Sequence, residues 1–228
     1  MRTNLPALTE GSVQRFSATV YEAVQSRILW GEYPPGAWIS VEDLCRAFGV
    51  SRQPVMDAMR RLSSDWLVEI VPQVGCRVAR YNAQAIEDYI NAFGEMESRI
   101  ATMAAQRRTE KQLDRLTEIT QQIRTRAVMD QENLSLGRHY HRTVLEMAHS
   151  TVLARLCEQL WAFGTFVSNP QIVANMGGPE IARRRNTLGK LTNAIRVRNG
   201  ALARTYMAQW LTSVAGLRNS KKRAATLK

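Results

Sequence analysis

"FGVSRQPVMDAMRRL", residues 48–62, decides how the rest of the chain is read. Gly49 and Val50 make a short turn. Ser51 stands where a helix N-cap favours a hydroxyl, and Pro54 falls in the first turn, where a missing N–H is tolerated. At about 100° per residue, Val55, Ala58, Met59 and Leu62 share one apolar arc. Arg52, Gln53, Met56, Asp57 and Arg60 share a separate, outward arc. A helix N-terminus carries partial positive charge, so an arginine directly behind the cap is poorly placed unless another molecule supplies an anion. The stretch reads as a core-anchored helix whose leading turn faces a polyanion.

Working outward, residues 16–29 carry the helical stripe Phe16, Val20, Val24 and Ile28, with Tyr21 and Leu29 beside it. Gly31 and "YPPG" (33–36) stop that helix, because proline removes a donor and disfavours helical geometry before it. Ser40, with Asp43 at the capping-box position, opens a second helix that turns Val41, Leu44 and Phe48 inward. After Leu62 the period changes. "LVEIVPQVGCRVARY" (67–81) holds two short β-rich runs, 67–71 and 76–80, separated by "PQVG", the pattern of a hairpin. Three helices followed by a hairpin describe a winged helix-turn-helix.

From Asn82 onward the chain reads as helix. Asn82 caps a helix to about Arg107, with Ile86, Tyr89, Ile90, Phe93, Met96 and Ile100 on its buried side. Thr109 and Gln112 form a capping box for a helix carrying Leu113, Leu116, Ile119 and Ile123. Further helices are expected near 135–148 and 151–168, the latter stopped by Asn169 and Pro170. Helices at 180–198 and from Gly200 to about Arg218 follow. Connections this short imply an antiparallel bundle. The expected fold is mainly α: a winged helix-turn-helix over 1–81, an antiparallel helical bundle over 82–220, and a basic tail over 221–228.

Composition narrows the function. The 228 residues are 45% hydrophobic and 22% charged, ordinary values for a folded chain. No apolar run approaches the roughly 20 residues that span a bilayer. "MRTNLPALTEGS" (1–12) lacks a signal-like stretch, so the chain is expected in the cytosol, associated with the nucleoid. Cys45, Cys76 and Cys157 are far apart with no CxxC pair, and read as isolated thiols. The net charge of +11 favours anionic partners. Yet residues 1–80 hold nine Lys and Arg against eight Asp and Glu, leaving 22 against 12 beyond them. Pattern, not net charge, places nucleic-acid binding at the N-terminus.

In a major groove, Arg52 and Gln53 at the leading turn would meet base edges, and arginine can grip guanine O6 and N7 with two donors. Ser51 and the first helical N–H groups suit a phosphate. Together "GEYPPGAWISVEDLCRAFGVSRQPVMDAMRRL" (31–62) and "VPQVG" (71–75) resemble the GntR family of bacterial transcriptional regulators. The helical remainder resembles the FadR-like branch with its FCD effector domain. The resemblance implies a homodimer on a short pseudo-palindrome of double-stranded DNA, a repressor whose affinity is set by a small organic acid. It carries the base-reading role to Arg52, a second contact to Gln53, and the wing tip near the minor groove to Gly75. Pro54, Met56 and Arg60 of the same helix, Arg46 of the helix before it and Gln73 of the hairpin complete the expected DNA-binding set. Met56 departs from the family, which usually has a second arginine there. Trp66 replaces a usual glycine, and its ring is expected under the wing.

Many FCD domains hold a divalent metal with an Asp and a His at i and i+4 plus one His from each of two later helices. In "SLGRHYHRTVLEMAHS" (135–150) the histidine falls on His141, but the Asp position is Gly137. The later histidines fall on Leu188 and Trp210. His139 and His141 diverge on a helix, and the Glu146 and His149 pair lacks the second copy that a di-iron bundle needs. No metal and no cofactor are expected. The effector pocket is expected from Phe93, Arg138, His141, Trp161, Arg184, Leu188 and Trp210, with Phe166 as a further candidate. In this reading Arg138 or Arg184 replaces the metal's charge for a carboxylate or aromatic ligand. The alternative is a constitutive dimeric DNA-binding protein whose pocket has collapsed into core. An enzyme is not expected: no nucleophile–base pair, metal set or Gly-rich phosphate loop is visible, and no catalytic residue is assigned.

Overall fold

The computed structural model describes residues 10–126, 131–168 and 177–226. The expected stop at Asn169 and Pro170 lies outside them. The chain divides into two compact units, Met1–Tyr81 and Asn82–Lys228.

The first unit runs α1 (Glu10–Leu29), β1 (Trp38–Ile39), α2 (Val41–Phe48), α3 (Arg52–Ser64), β2 (Val68–Val71) and β3 (Gly75–Val78). α1 packs mainly on α3. Val20, Val24 and Ile28 meet Val55, Ala58, Met59 and Leu62 in a core that Leu44, Leu67, Cys76 and Val78 complete, all 3% exposed or less. The three strands pair antiparallel in the order β1-β3-β2. β1 has no signal in the sequence. It is two residues long and exists only because Trp38 and Ile39 find Arg77 and Cys76 across the sheet.

The turn between α2 and α3 is built from backbone chemistry. Ser40 caps α2 by accepting from the Asp43 N–H at 3.1 Å. The Asp43 carboxylate turns to Arg46 instead of closing the box. Gly49, with φ of 62°, ends α2 in the left-handed conformation. Ser51 has N-cap backbone geometry, but its side chain makes no cap hydrogen bond, contrary to expectation. The cause is Pro54: it fills the third helical position, one of the two whose N–H a cap hydroxyl seeks, and proline has none.

Two expectations for the wing are corrected. Its tip is Pro72–Gln73–Val74, with Gln73 in the left-handed region at φ of 61°. Gly75 is not the tip; it pairs with Val71 as the first residue of β3. Trp66 is not the buried ring expected under the wing. It ends α3 with φ of 60° and leaves 42% of itself exposed. A left-handed backbone at that position explains why the family favours glycine there.

The second unit comprises α4 (Ala83–Arg107), α5 (Glu110–Thr125), α6 (Gln131–Met147), α7 (Thr151–Ser168), α8 (Gly178–Arg196) and α9 (Gly200–Thr226). Asn82 caps α4 by accepting from the Ala85 N–H at 2.8 Å, and Thr109 with Gln112 forms the expected capping box on α5. α6 begins at Gln131, a turn earlier than its apolar pattern indicated. α9 continues to Thr226 past the expected end at Arg218, so most of the presumed basic tail is helix. No Gly or Pro follows Arg218, and Lys, Arg and Ala are good helix formers. α4 packs chiefly on α9, and α5 lies against α6 and α8. The core between them holds Ile100, Leu116, Tyr140, Val144, Met147, Leu188, Leu191, Ile195 and Met207. Three of its hydroxyls satisfy one another: Thr192 Oγ1 lies 2.8 Å from Thr120 Oγ1 and 3.0 Å from the Tyr140 hydroxyl.

Candidate functional site

The outward face of α3 carries Arg52, Gln53 and Arg60 exposed, with Met56 half-buried between them. Pro54 does not belong to that face: its ring is buried, so it shapes the helix start and presents nothing outward. Each arginine here has a carboxylate partner. Arg52 Nη1 donates to Glu42 Oε1 of α2 at 2.8 Å, Arg60 pairs with Asp57, and Arg46 of α2 pairs with Asp43. Gln53 Nε2 donates to both oxygens of Asp57, at 3.0 and 3.2 Å. Exposed pairs of this kind contribute only about 0–1 kcal/mol, so an incoming anion can take these arginines over. Gln73 stands exposed at the hairpin tip and Gly75 beside it, half-buried.

The second unit contains a cavity of about 150 Å³ that opens to its surface. Phe93 from α4, Arg138 and His141 from α6, Trp161 from α7, Arg184 and Leu188 from α8 and Trp210 from α9 all line it. Phe166 does not line it, although Thr165 beside it does. His141 sits at the centre of the wall, 1% exposed, between two indoles whose centroids lie 4.6 Å (Trp161) and 4.5 Å (Trp210) away. Its Nδ1 is 3.0 Å from Oε2 of Glu97, which is itself 2% exposed. The buried Cys157 thiol is influenced by the same carboxylate. Burial first, and then the Glu97 charge and a hydrogen bond with it, push the thiol up to about 12. His141 Nε2, at the opposite edge of the ring, is buried without a partner.

The charges around this cavity are unbalanced. Arg184 lays its guanidinium over the Trp210 ring at 4.6 Å and donates from Nη1 to the Trp210 carbonyl at 3.2 Å and to Ser213 Oγ at 2.5 Å. Burial lowers it to about 10, which leaves it cationic at neutral pH. Burial, and then Arg142, lower Arg138. Arg185 also lines the cavity, with its Nε buried and unpartnered. None of these three arginines has a carboxylate partner among the described residues.

Glu97 and Arg185 escaped the sequence reading. The signal for Glu97 was present: it lies four residues after Phe93 and three before Ile100, a charged residue inside an apolar stripe. Arg185 had none, because "RRR" at 183–185 looks like a solvated run.

Comparison with known proteins fits both units. Residues 16–78 match the description "Bacterial regulatory proteins, gntR family", and residues 88–213 match the FCD domain. The chain belongs to the GntR family, in its FCD branch. It is thus a transcriptional regulator with an effector-binding domain, not an enzyme. It is 28% identical over 174 residues to the Uxu operon regulator of Haemophilus influenzae, covering 71% of this chain and 65% of that protein. It is 24% identical over 143 residues to the HTH-type regulator YdhC of Bacillus subtilis, covering 61% of this chain and 64% of that one. The matches span just under two thirds of these relatives' lengths. Among solved structures, Escherichia coli McbR/YncC superposes with a TM-score of 0.76 at 18% identity, over 90% of this chain and 98% of that one. A GntR regulator from Rhodococcus sp. RHA1 gives 0.64 at 19% identity, over 88% and 97%. These likenesses concern the fold.

The metal ligand set associated with the FCD resemblance does not fit this regulator. His141 is the sole donor of the four positions; Gly137, Leu188 and Trp210 surround it in the cavity wall and offer none. Among the described residues, no group of three or more His, Cys, Asp and Glu could hold a metal ion. No described helix is long and apolar enough to cross a membrane.

Proposed function

We propose that this regulator is a homodimeric repressor that grips a short pseudo-palindromic operator in the cytoplasm, at the nucleoid, and changes its grip when a small organic anion enters the helical unit without a metal. The observation that carries the effector side is the cavity lined by three guanidiniums that, among the described residues, no carboxylate pairs with. A cation in an apolar wall needs an anion, and arginine offers a carboxylate a two-pronged site. The indoles of Trp161 and Trp210 and the ring of Phe93 suit the flat or apolar body of such a ligand. On the DNA side, Arg52 reads a guanine, Gln53 a neighbouring base, and Ser51 with the first amides of α3 takes a phosphate. Met56 offers an apolar surface to a thymine methyl, while Arg46, Arg60, Gln73 and Gly75 position the duplex. The open cavity speaks against a constitutive protein with a collapsed pocket. There Leu188 and Trp210 would fill the space; here both border it.

The test joins both units. On an operator recovered by genomic footprinting, Arg52→Ala should lose at least tenfold in specific affinity while binding to random duplex changes little. A panel of organic acids should shift wild-type operator affinity, and Arg138→Ala or Arg184→Ala should blunt the shift. Specific affinity untouched by Arg52→Ala would overturn the recognition helix. An acid response unchanged in both cavity variants would overturn the anion site.

A further inference from the structure

The cavity specifies more about its ligand than a negative charge. We infer that it takes a single-ring aromatic acid bearing a hydroxyl, and that His141 Nε2 is the acceptor that selects for that hydroxyl. This inference rests on the anion-site reading above and narrows it.

Three observations converge. The first is size: about 150 Å³. An apolar protein cavity of about that volume is known to take benzene, so a single ring suits it. The second is the wall. Trp161 and Trp210 flank His141 at 4.6 and 4.5 Å, and Tyr89 stacks on Phe93 at 5.4 Å, both of them also lining the space. Aromatic edges and faces in this arrangement suit another aromatic ring better than a flexible chain.

The third is His141. Its Nδ1 faces the Glu97 carboxylate at 3.0 Å, and an imidazole that donates to that acceptor from Nδ1 keeps its lone pair at Nε2. That nitrogen is buried and unpartnered, on a residue that lines the cavity. The arginines supply donors in plenty; the group still lacking a mate is an acceptor. A ligand O–H satisfies it, whereas an unsubstituted ring leaves it unpaired. A site built to hydrogen-bond a ligand hydroxyl discriminates strongly against the analogue without it, because the buried polar group is then stranded.

The geometry fixes the roles. The carboxylate lies toward Arg138, Arg184 or Arg185, the ring lies against the aromatic wall, and the hydroxyl meets Nε2. Glu97 acts through His141 as a positioning residue, holding the tautomer and the ring plane.

Calorimetric titration of the full chain with benzoate, the three hydroxybenzoates and their methoxy counterparts tests this. At least one hydroxybenzoate should bind ten or more times tighter than both benzoate and its own methoxy analogue. In His141→Phe that preference should vanish while benzoate affinity changes less than threefold. Glu97→Gln should weaken the preference in the same direction. Equal wild-type binding of hydroxy and unsubstituted acids overturns the inference, and this comparison decides even if the variants fail to fold. A preference that survives in folded His141→Phe overturns it as well. If aliphatic acids bind and benzoates do not, the inference falls and the anion site stands; if no organic acid binds, both fall.

Discussion

Gly49 has a φ of 62°, and nothing beyond its immediate neighbours comes within 4 Å of where a Cβ would stand. Any cost of a side chain there is backbone strain alone. Gly49→Ala should destabilise the first unit by about 1 kcal/mol, the order of the left-handed penalty, as read by urea denaturation. A neutral result would mean that the turn tolerates another conformation. Gln73 and Trp66 occupy the same region of backbone space without being glycine. That is why the sequence misplaced both: side-chain type suggested a wing tip at Gly75 and a buried indole, while the conformation is imposed by the hairpin and by the end of α3. Residue identity reports backbone geometry only when the residue is the favoured one for it.

Among the elements, helix starts were the most legible, and they differ in what closes them. The Thr109 hydroxyl accepts from the Gln112 N–H at 3.3 Å, and Gln112 Oε1 accepts from the Thr109 N–H at 2.9 Å. Thr109→Ala should therefore cost about 1 kcal/mol. Ser51→Ala should change stability by less than about 0.5 kcal/mol, since its hydroxyl caps nothing. Paired denaturation curves check the contrast; equal losses would refute it. Both capping residues were visible in sequence, but the proline that disables one of them was read only as tolerated. The same limit applies to the bundle. Phe93, Arg138, His141, Trp161, Arg184, Leu188 and Trp210 were named from spacing and resemblance, and they line one cavity. β1 and the Glu97–His141 contact were not legible, because each depends on residues 37 or more positions apart meeting in space.

For the molecule as a whole, the charge of +11 says little about its DNA-binding face. Glu42, Asp43 and Asp57 pair with Arg52, Arg46 and Arg60, so that face is close to neutral. Non-specific attraction to a polyanion is thereby held down, and recognition falls to directed contacts. The triple change Glu42→Gln, Asp43→Asn, Asp57→Asn should tighten binding to random duplex. It should also steepen the dependence of log K on log salt by about 0.9 for each phosphate newly engaged. A salt titration that leaves the slope unchanged would mean that these arginines do not face the duplex.

The unsealed start of α3 has a consequence of its own. With the Ser51 side chain idle and Pro54 donating nothing, the amides of Ser51, Arg52 and Gln53 form the part of the helix that its own turns do not close. A phosphate seated there would finish the secondary structure from outside. Nucleic acid would then be a component of the fold's last turn as well as its target, and the free regulator would carry its reading head slightly frayed.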